Sequence, residues 1–253
     1  MKFKYFRLAW AIWFLILFVA VFLVLYIPFR IVLSRKQWYP AAHWLRKIWA
    51  YCIIYPVGLW PKVNYEAIPD KNKTYIFCAN HFSYLDIILT NMKLSHYFNF
   101  MAKTELAKIP VFGIFFRTID ISVNRNNRWD SHHAFVMAGQ RLDEGTSLLI
   151  FPEGGIHKDV PPMVRFKAGA FRMAIDKQVP IIPITLVDNW KRLPGGGLNN
   201  GLWPGKMRMT VHREVNTVGL NPEDKDKLKD KVFAIIDAEF KKHNPQFNKH
   251  SRN

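Results

Sequence analysis

The sequence predicts an α/β fold, a mostly parallel sheet flanked by helices, preceded by an N-terminal membrane-embedded helical segment. Three observations predict it. From Tyr75 to Val187, short apolar runs alternate with stretches of helical spacing. These runs are apolar at consecutive positions, as strands buried on both faces of a parallel sheet must be. Leu8 to Ile27 forms a 20-residue stretch without a charge.

That stretch comes first. As a helix, 20 residues reach about 30 Å, the thickness of a bilayer's hydrocarbon core. A cleaved signal would be shorter and end at small residues; this run ends in Tyr26-Ile27-Pro28-Phe29-Arg30. Basic residues flank both ends, Lys2, Lys4 and Arg7 before and Arg30, Arg35 and Lys36 after. The distribution of positive charge therefore favours neither orientation across the bilayer. Ala41 to Trp60 is rich in Trp and Tyr yet carries Arg46 and Lys47, which fits an interfacial helix and not a second span. The expectation is an anchor over residues 1–60, with a helix at 8–27 and an aromatic-rich helix at 41–60. The two would form a hairpin dipping into one leaflet.

The globular part is expected over 61–253. A polar, turn-rich stretch, Pro61 to Lys73, opens it. Strands follow at Tyr75–Ala79, Asn99–Ala102, Ile119–Val123, Ser147–Phe151 and Pro180–Val187. Helices follow at Leu85–Met92, Val111–Phe116, Trp129–Leu142 and Ala168–Asp176. Leu193 to Gly205 reads as a Gly/Pro loop and Met207–Val215 as an edge strand. Asn221, with Pro222, Glu223 and Asp224, signals the start of a C-terminal helix over 222–241. The basic tail beyond it reads as frayed.

The chain has 253 residues and a formal net charge of +17. Such basicity suits a polyanion, an anionic membrane surface or a phosphorylated substrate. No zinc-finger spacing or RNA-binding aromatic signature is present, so no nucleic-acid partner is expected. Cys52 and Cys78 make neither a CxxC pair nor a disulfide framework. His132 and His133 lack a spaced set of further ligands, and no metal is expected.

In parallel α/β sheets, ligands sit beyond the carboxyl ends of the strands. Three polar groups fall there: Asn80-His81, Asn124-Arg125, and the turn Pro152-Glu153-Gly154-Gly155. His81 precedes Asp86 by five residues. An imidazole serves as a base when a carboxylate orients it and stabilises its protonated form. Ser83-x-x-Asp86 is equally a helix capping box, in which Asp86 would only satisfy backbone donors.

Taken together, these pieces resemble the 1-acylglycerol-3-phosphate acyltransferase family of glycerophospholipid acyltransferases. Asn80-His81-x4-Asp86 resembles its first motif, and Lys103-x-Glu105-Leu106 with Pro110 and Gly113 its connecting segment. Val123-Asn124-Arg125 resembles the second motif, Phe151-Pro152-Glu153-Gly154 the third, and Val179-Pro180-Ile181-Ile182-Pro183-Ile184 the fourth. The match runs from about Thr74 to Val187.

The resemblance implies acyl transfer from a thioester, acyl carrier protein or coenzyme A, to a lysolipid hydroxyl. The acceptor would be 1-acyl-glycerol-3-phosphate and the product phosphatidic acid. His81 would take the hydroxyl proton and Asp86 would hold the ring. Arg125 and Lys103 would grip the acceptor's phosphate, with Lys167 beside them. Glu153 would organise the acceptor site, and backbone N–H groups around Gly154 are candidate oxyanion donors. The thioester is a co-substrate, and no bound cofactor is expected. The protein would sit at a membrane (the inner or plasma membrane of a bacterium) with its catalytic domain on the cytoplasmic side. Two departures fall in the acceptor pocket. Gly155-Ile156-His157 stands where the family usually has Thr or Ser, often followed by Arg, and Ile121-Ser122 where it has an aromatic or apolar pair. They leave open another lyso-acceptor, such as a lyso-aminolipid. A rival of another class is a non-catalytic lipid-binding protein.

Overall fold

A computed structural model describes residues 2–124, 127–157, 160–195 and 197–250. Among the described residues, seven strands form one sheet: β1 (Leu59–Tyr65), β2 (Ile76–Ala79), β3 (Phe98–Lys103), β4 (Ile121–Val123), β5 (Ser147–Ile150), β6 (Ile181–Leu186) and β7 (Gly205–Val211). Their order is β1-β7-β6-β2-β5-β3-β4. Strands β6, β2, β5, β3 and β4 are parallel neighbours, and β7 runs antiparallel to β6.

Two corrections concern the far edge of the sheet. Residues 61–65, read from sequence as turn-rich, belong to strand β1. It pairs parallel with β7 from Leu59↔Gly205 to Tyr65↔Val211. Its pattern is period two: Leu59, Pro61, Val63 and Tyr65 point inward, while Trp60, Lys62 and Asn64 are exposed. Pro61 obscured that alternation, but on an edge strand its missing N–H costs nothing on the solvent side. With β1 in place, β7 is an interior strand and not an edge.

Strand β2 is buried at every position. Phe77 and Ala79 face one core, Ile76 and Cys78 the other. The helices α6 (Arg128–Asp143), α7 (Gly169–Asp176) and α9 (Lys225–His243) cover the second face. Helix α9 follows a 3-10 turn, Pro222–Asp224, closed by the Asn221–Asp224 capping box. The tail is not frayed at Lys241: a further turn, Pro245–His250, sets Phe247 against Trp190 and Phe240.

The first face carries α3 (Leu85–Lys93), with α1 (Lys2–Val32) and α2 (Tyr39–Ile54) outside it. Helix α1 runs through Pro28, past the expected end at Ile27. It packs through Ala11, Phe14, Phe22 and Phe29, a stripe at helical spacing. Trp49 of α2 donates its indole N–H to the Phe18 carbonyl at 3.0 Å. Arg46, read from sequence as arguing against a second membrane span, is buried. Its guanidinium grips Asp120 at the start of β4 with both arms and lies 4.2 Å from the Phe115 ring centroid. The opposite face of α1, with Leu8, Ile12, Ile16, Leu23, Ile27 and Ile31, is exposed. The span Lys4–Val32 is long and apolar enough to cross a membrane.

Candidate active site

Strand β2 ends at Ala79 and its next residue locks the strand end. The Asn80 amide donates to the Leu186 carbonyl at 3.0 Å and accepts from the Leu186 N–H at 2.7 Å. A side chain thus stands in for a backbone pair and carries the β2–β6 contact past the last ladder rung. His81 follows, its ring stacked on Phe151 with centroids 4.0 Å apart.

His81 Nδ1 lies 3.0 Å from Asp86 Oδ2. That oxygen also accepts the N–H groups of Phe82 and Ser83, each at 2.8 Å. The contacts that the two sequence readings of Asp86 require are therefore both present. It receives the Ser83 N–H as in a capping box, and the same oxygen holds the imidazole. Ser83 Oγ accepts from the Leu85 N–H at 3.2 Å, which completes the helix start. In the neutral ring, a carboxylate beside Nδ1 favours the tautomer with its proton there, which leaves the Nε2 lone pair free.

Glu153 lies in the turn after β5 and is almost fully buried. Oε1 accepts the His81 N–H at 2.7 Å and Oε2 accepts the Val164 N–H at 3.1 Å. Burial pushes its carboxyl up to about 8. The two N–H bonds act against this, and the Asp86 charge adds to it. Both oxygens accept from the protein's own backbone, so Glu153 ties the His81 loop to the segment at Val164.

Gly154 has φ +89°, a conformation that strains any side chain. A Cβ there would meet the Lys167 Cε and Nζ, each at 2.8 Å. Lys167 is fixed by its own N–H, which donates to the Pro152 carbonyl at 2.9 Å, and its amine lies over the third-motif turn. The Gly154 N–H is spent on the Phe151 carbonyl at 3.0 Å. Of the N–H groups around Gly154, its own is thus already bonded within the turn.

Lys103 closes β3 and is exposed. Because β2, β5 and β3 are consecutive neighbours, His81, Glu153 and Lys103 stand on one rim. With strands about 4.8 Å apart, Lys103 is roughly 10 Å from the His81 strand. Arg125 lies outside the described residues. Asn124, just before it, donates to Asp130 Oδ2 at 2.9 Å.

One polar neighbour was not anticipated. Asn189, in the short helix α8 (Asn189–Arg192) after β6, donates its amide to Asp86 Oδ1 at 2.8 Å. The residue before it, Asp188, accepts a two-armed bond from Arg208 of β7. The rule that sites gather at strand ends applies to β6 as well, and Asn189 follows that strand's end by three residues.

Comparison with known proteins covers the part of the chain that carries this rim. Residues 62–187 match the family model described as Acyltransferase. The chain is 30% identical over 203 residues to a Chlamydomonas reinhardtii protein named a 1-acyl-sn-glycerol-3-phosphate acyltransferase, covering 79% of this chain and 60% of the relative. It is 30% identical over 153 residues to the Haemophilus influenzae protein of that name, covering 58% of this chain and 62% of the relative. The chain spans 60% of the length of the algal relative and 55% of a chloroplast relative from Arabidopsis thaliana. A solved structure, the 1-acyl-sn-glycerophosphate acyltransferase PlsC from Thermotoga maritima, superposes with a TM-score of 0.78. It is 24% identical and covers 94% of this chain and 96% of the neighbour. That likeness shows the same fold, and the sequence matches place the histidine–carboxylate rim within the matched domain. Residues 62–187 of the chain form a domain of the acyltransferase family.

Proposed function

We propose that the protein transfers a fatty acyl group from a thioester, acyl carrier protein or coenzyme A, to the free hydroxyl of 1-acyl-glycerol-3-phosphate, giving phosphatidic acid. The observation that carries this reading is the His81–Asp86 pair at the end of β2. An alcohol is a weak nucleophile at neutral pH. His81 Nε2 takes its proton as the oxygen attacks the thioester carbonyl carbon. The tetrahedral oxyanion collapses, the C–S bond breaks, and the imidazolium returns the proton to the departing sulfur. Asp86 stabilises the imidazolium between these steps. Base catalysis of this kind contributes about 10²–10⁴-fold. No serine or cysteine nucleophile is needed.

The names of the relatives support the phosphorylated acceptor. Lys167 and Lys103 supply cations on the rim, with Arg125 at the matching position of the second motif. Gly155 and His157 keep a lyso-aminolipid acceptor as the second reading.

The anchor helices fit a hairpin seated in one leaflet. Both ends of α1 touch the α/β body: the Arg7 carbonyl accepts from the Leu202 N–H at 3.1 Å, and the Phe29 ring meets Phe115 at 4.9 Å. A helix crossing the bilayer would carry one of these ends away from the body. The body would then lie on the cytoplasmic surface, where its thioester donors are.

The test is purified protein in detergent, assayed with both thioester donors against a panel of lyso-acceptors. Transfer to lysophosphatidic acid that His81→Ala abolishes is the expected result. No preference for a phosphomonoester acceptor would move the reading to another lysolipid. Full activity in His81→Ala would remove the base assignment.

A further inference from the structure

Asp86 divides its two oxygens unequally. Oδ2 receives three donors: the N–H groups of Phe82 and Ser83, and His81 Nδ1. Oδ1 receives one, the Asn189 amide at 2.8 Å. Asp86 is fully buried and Asn189 nearly so, so water does not replace that donor freely. The Asn189 side chain gives up something to make the bond. With Nδ2 committed to Asp86, its Oδ1 is buried without a partner among the described residues. The amide is oriented for Asp86 and not for its own satisfaction.

We propose that Asn189 is a positioning residue for the proposed acyl transfer, setting the plane of the Asp86 carboxylate and the proton affinity of His81. Three donors fix Oδ2 in space but leave the carboxylate free to rock about that atom. The Asn189 bond pins the second oxygen, and so aims the Oδ2 lone pair at Nδ1. It also holds part of the negative charge. Without it, the uncompensated carboxylate attracts a proton onto His81 more strongly.

The other charged groups round the pair do not do this. Glu153, on the turn after β5, spends both oxygens on backbone N–H groups. Lys167, from the segment before α7, lies over Gly154. Asp188 is neutralised by Arg208 at 2.8 Å and Lys191 at 3.7 Å. Helix α9 presents Phe240 to Phe82. Arg208 serves a second purpose here: its fork on Asp188 fixes the residue preceding Asn189, and so the start of α8.

The experiment uses the full chain in detergent micelles with 15N-labelled histidine, the His81 signals assigned by their loss in His81→Gln. Asn189→Leu removes the donor at nearly constant volume, and Asn189→Ala is the second variant. The expected result is a His81 titration midpoint raised by about half to one pH unit, since a hydrogen bond to the carboxylate has been lost. The acid limb of kcat/KM should move with it. On the plateau, kcat should fall roughly ten- to a hundredfold, by analogy with the outer partners of metal-binding histidines, with KM unchanged. An unmoved His81 midpoint in either folded variant overturns the proposal, because a merely structural asparagine would lower activity without shifting a titration. The titration needs no turnover. A raised midpoint in a protein that acylates no lysolipid would sustain the positioning and overturn the proposed function instead.

Discussion

The main-chain N–H of His81 is held by Glu153 Oε1 at 2.7 Å, a bond between residues 72 positions apart. The third motif thus acts on the first through the backbone. Its second oxygen ties down Val164. A carboxyl with two acceptor oxygens meets two donors. An amide cannot, because its NH2 would face one of the N–H groups.

Glu153→Gln should therefore destabilise the protein by about 1–3 kcal/mol at neutral pH, the cost of an unsatisfied buried group. Its pH dependence adds a second signature. The folded carboxyl is raised to about 8 from 4.5, so between these values the folded state holds a proton that the unfolded state has lost. Stability from this group is full below about 4.5 and declines as pH rises toward 8, by at most about 1.4 kcal/mol per pH unit. Thermal unfolding at pH 5, 6, 7 and 8 should show that decline in the parent and a flatter profile in Glu153→Gln. Parallel profiles would contradict it.

Gly154→Ala tests the neighbouring turn. The residue must keep φ +89°, and the new Cβ must displace the end of Lys167. The backbone cost is about 1–2 kcal/mol. If the Lys167 amine holds the acceptor's phosphate, KM for lysophosphatidic acid should rise severalfold, with kcat little changed. Lys167→Ala should do the same, and a monoacylglycerol acceptor should respond to neither. Equal loss with both acceptors would take Lys167 out of phosphate binding.

The Arg46–Asp120 pair joins α2 to the sheet, and both side chains are buried. Asp120 Oδ1 also accepts the Phe100 N–H at 3.0 Å. Asp120→Asn keeps that acceptor but leaves the guanidinium without its counter-charge, at a cost of about 3–5 kcal/mol. Adding Arg46→Met removes the stranded charge and should recover part of the loss. Melting temperatures in detergent would show the double variant above the single one. A double variant as unstable as Asp120→Asn would mean that the charge was not the problem.

The parallel strands were legible because burial on both faces makes them continuous apolar runs, as in Ile76 to Ala79. His81 and Asp86 were legible because their spacing crosses a strand end and a helix start. Strand β1 was not, because Pro61, Lys62 and Asn64 look like a turn until β7, more than 140 residues later, supplies the partner. The same separation hid the role of Arg46. Its charge argues against the interior until Asp120, 74 residues away, pairs with it. Glu153 illustrates a further limit. A motif fixes which residue stands at a strand end, but which way its carboxylate turns depends on the Val164 and His81 N–H groups that reach it.

Helix α1 offers the sharpest separation of packing from the proposed membrane contact, because Phe22 and Leu23 are adjacent and only the first faces the core. Phe22 is almost fully buried, against Phe29, Trp49 and Phe115, while Leu23 is 62% exposed. Phe22→Ala should cost about 3–5 kcal/mol as a core cavity, lowering the melting temperature in detergent. Leu23→Lys touches no core residue, and in detergent its stability should stay within about 0.5 kcal/mol of the parent. In lipid the order reverses. A lysine on the face seated in the hydrocarbon costs about 2.5–3.5 kcal/mol at full depth. Flotation with lipid vesicles should therefore recover less Leu23→Lys than parent protein, while Phe22→Ala, kept below its melting temperature, floats normally. If Leu23→Lys floats as well as the parent, this face of α1 is not the one that meets the bilayer.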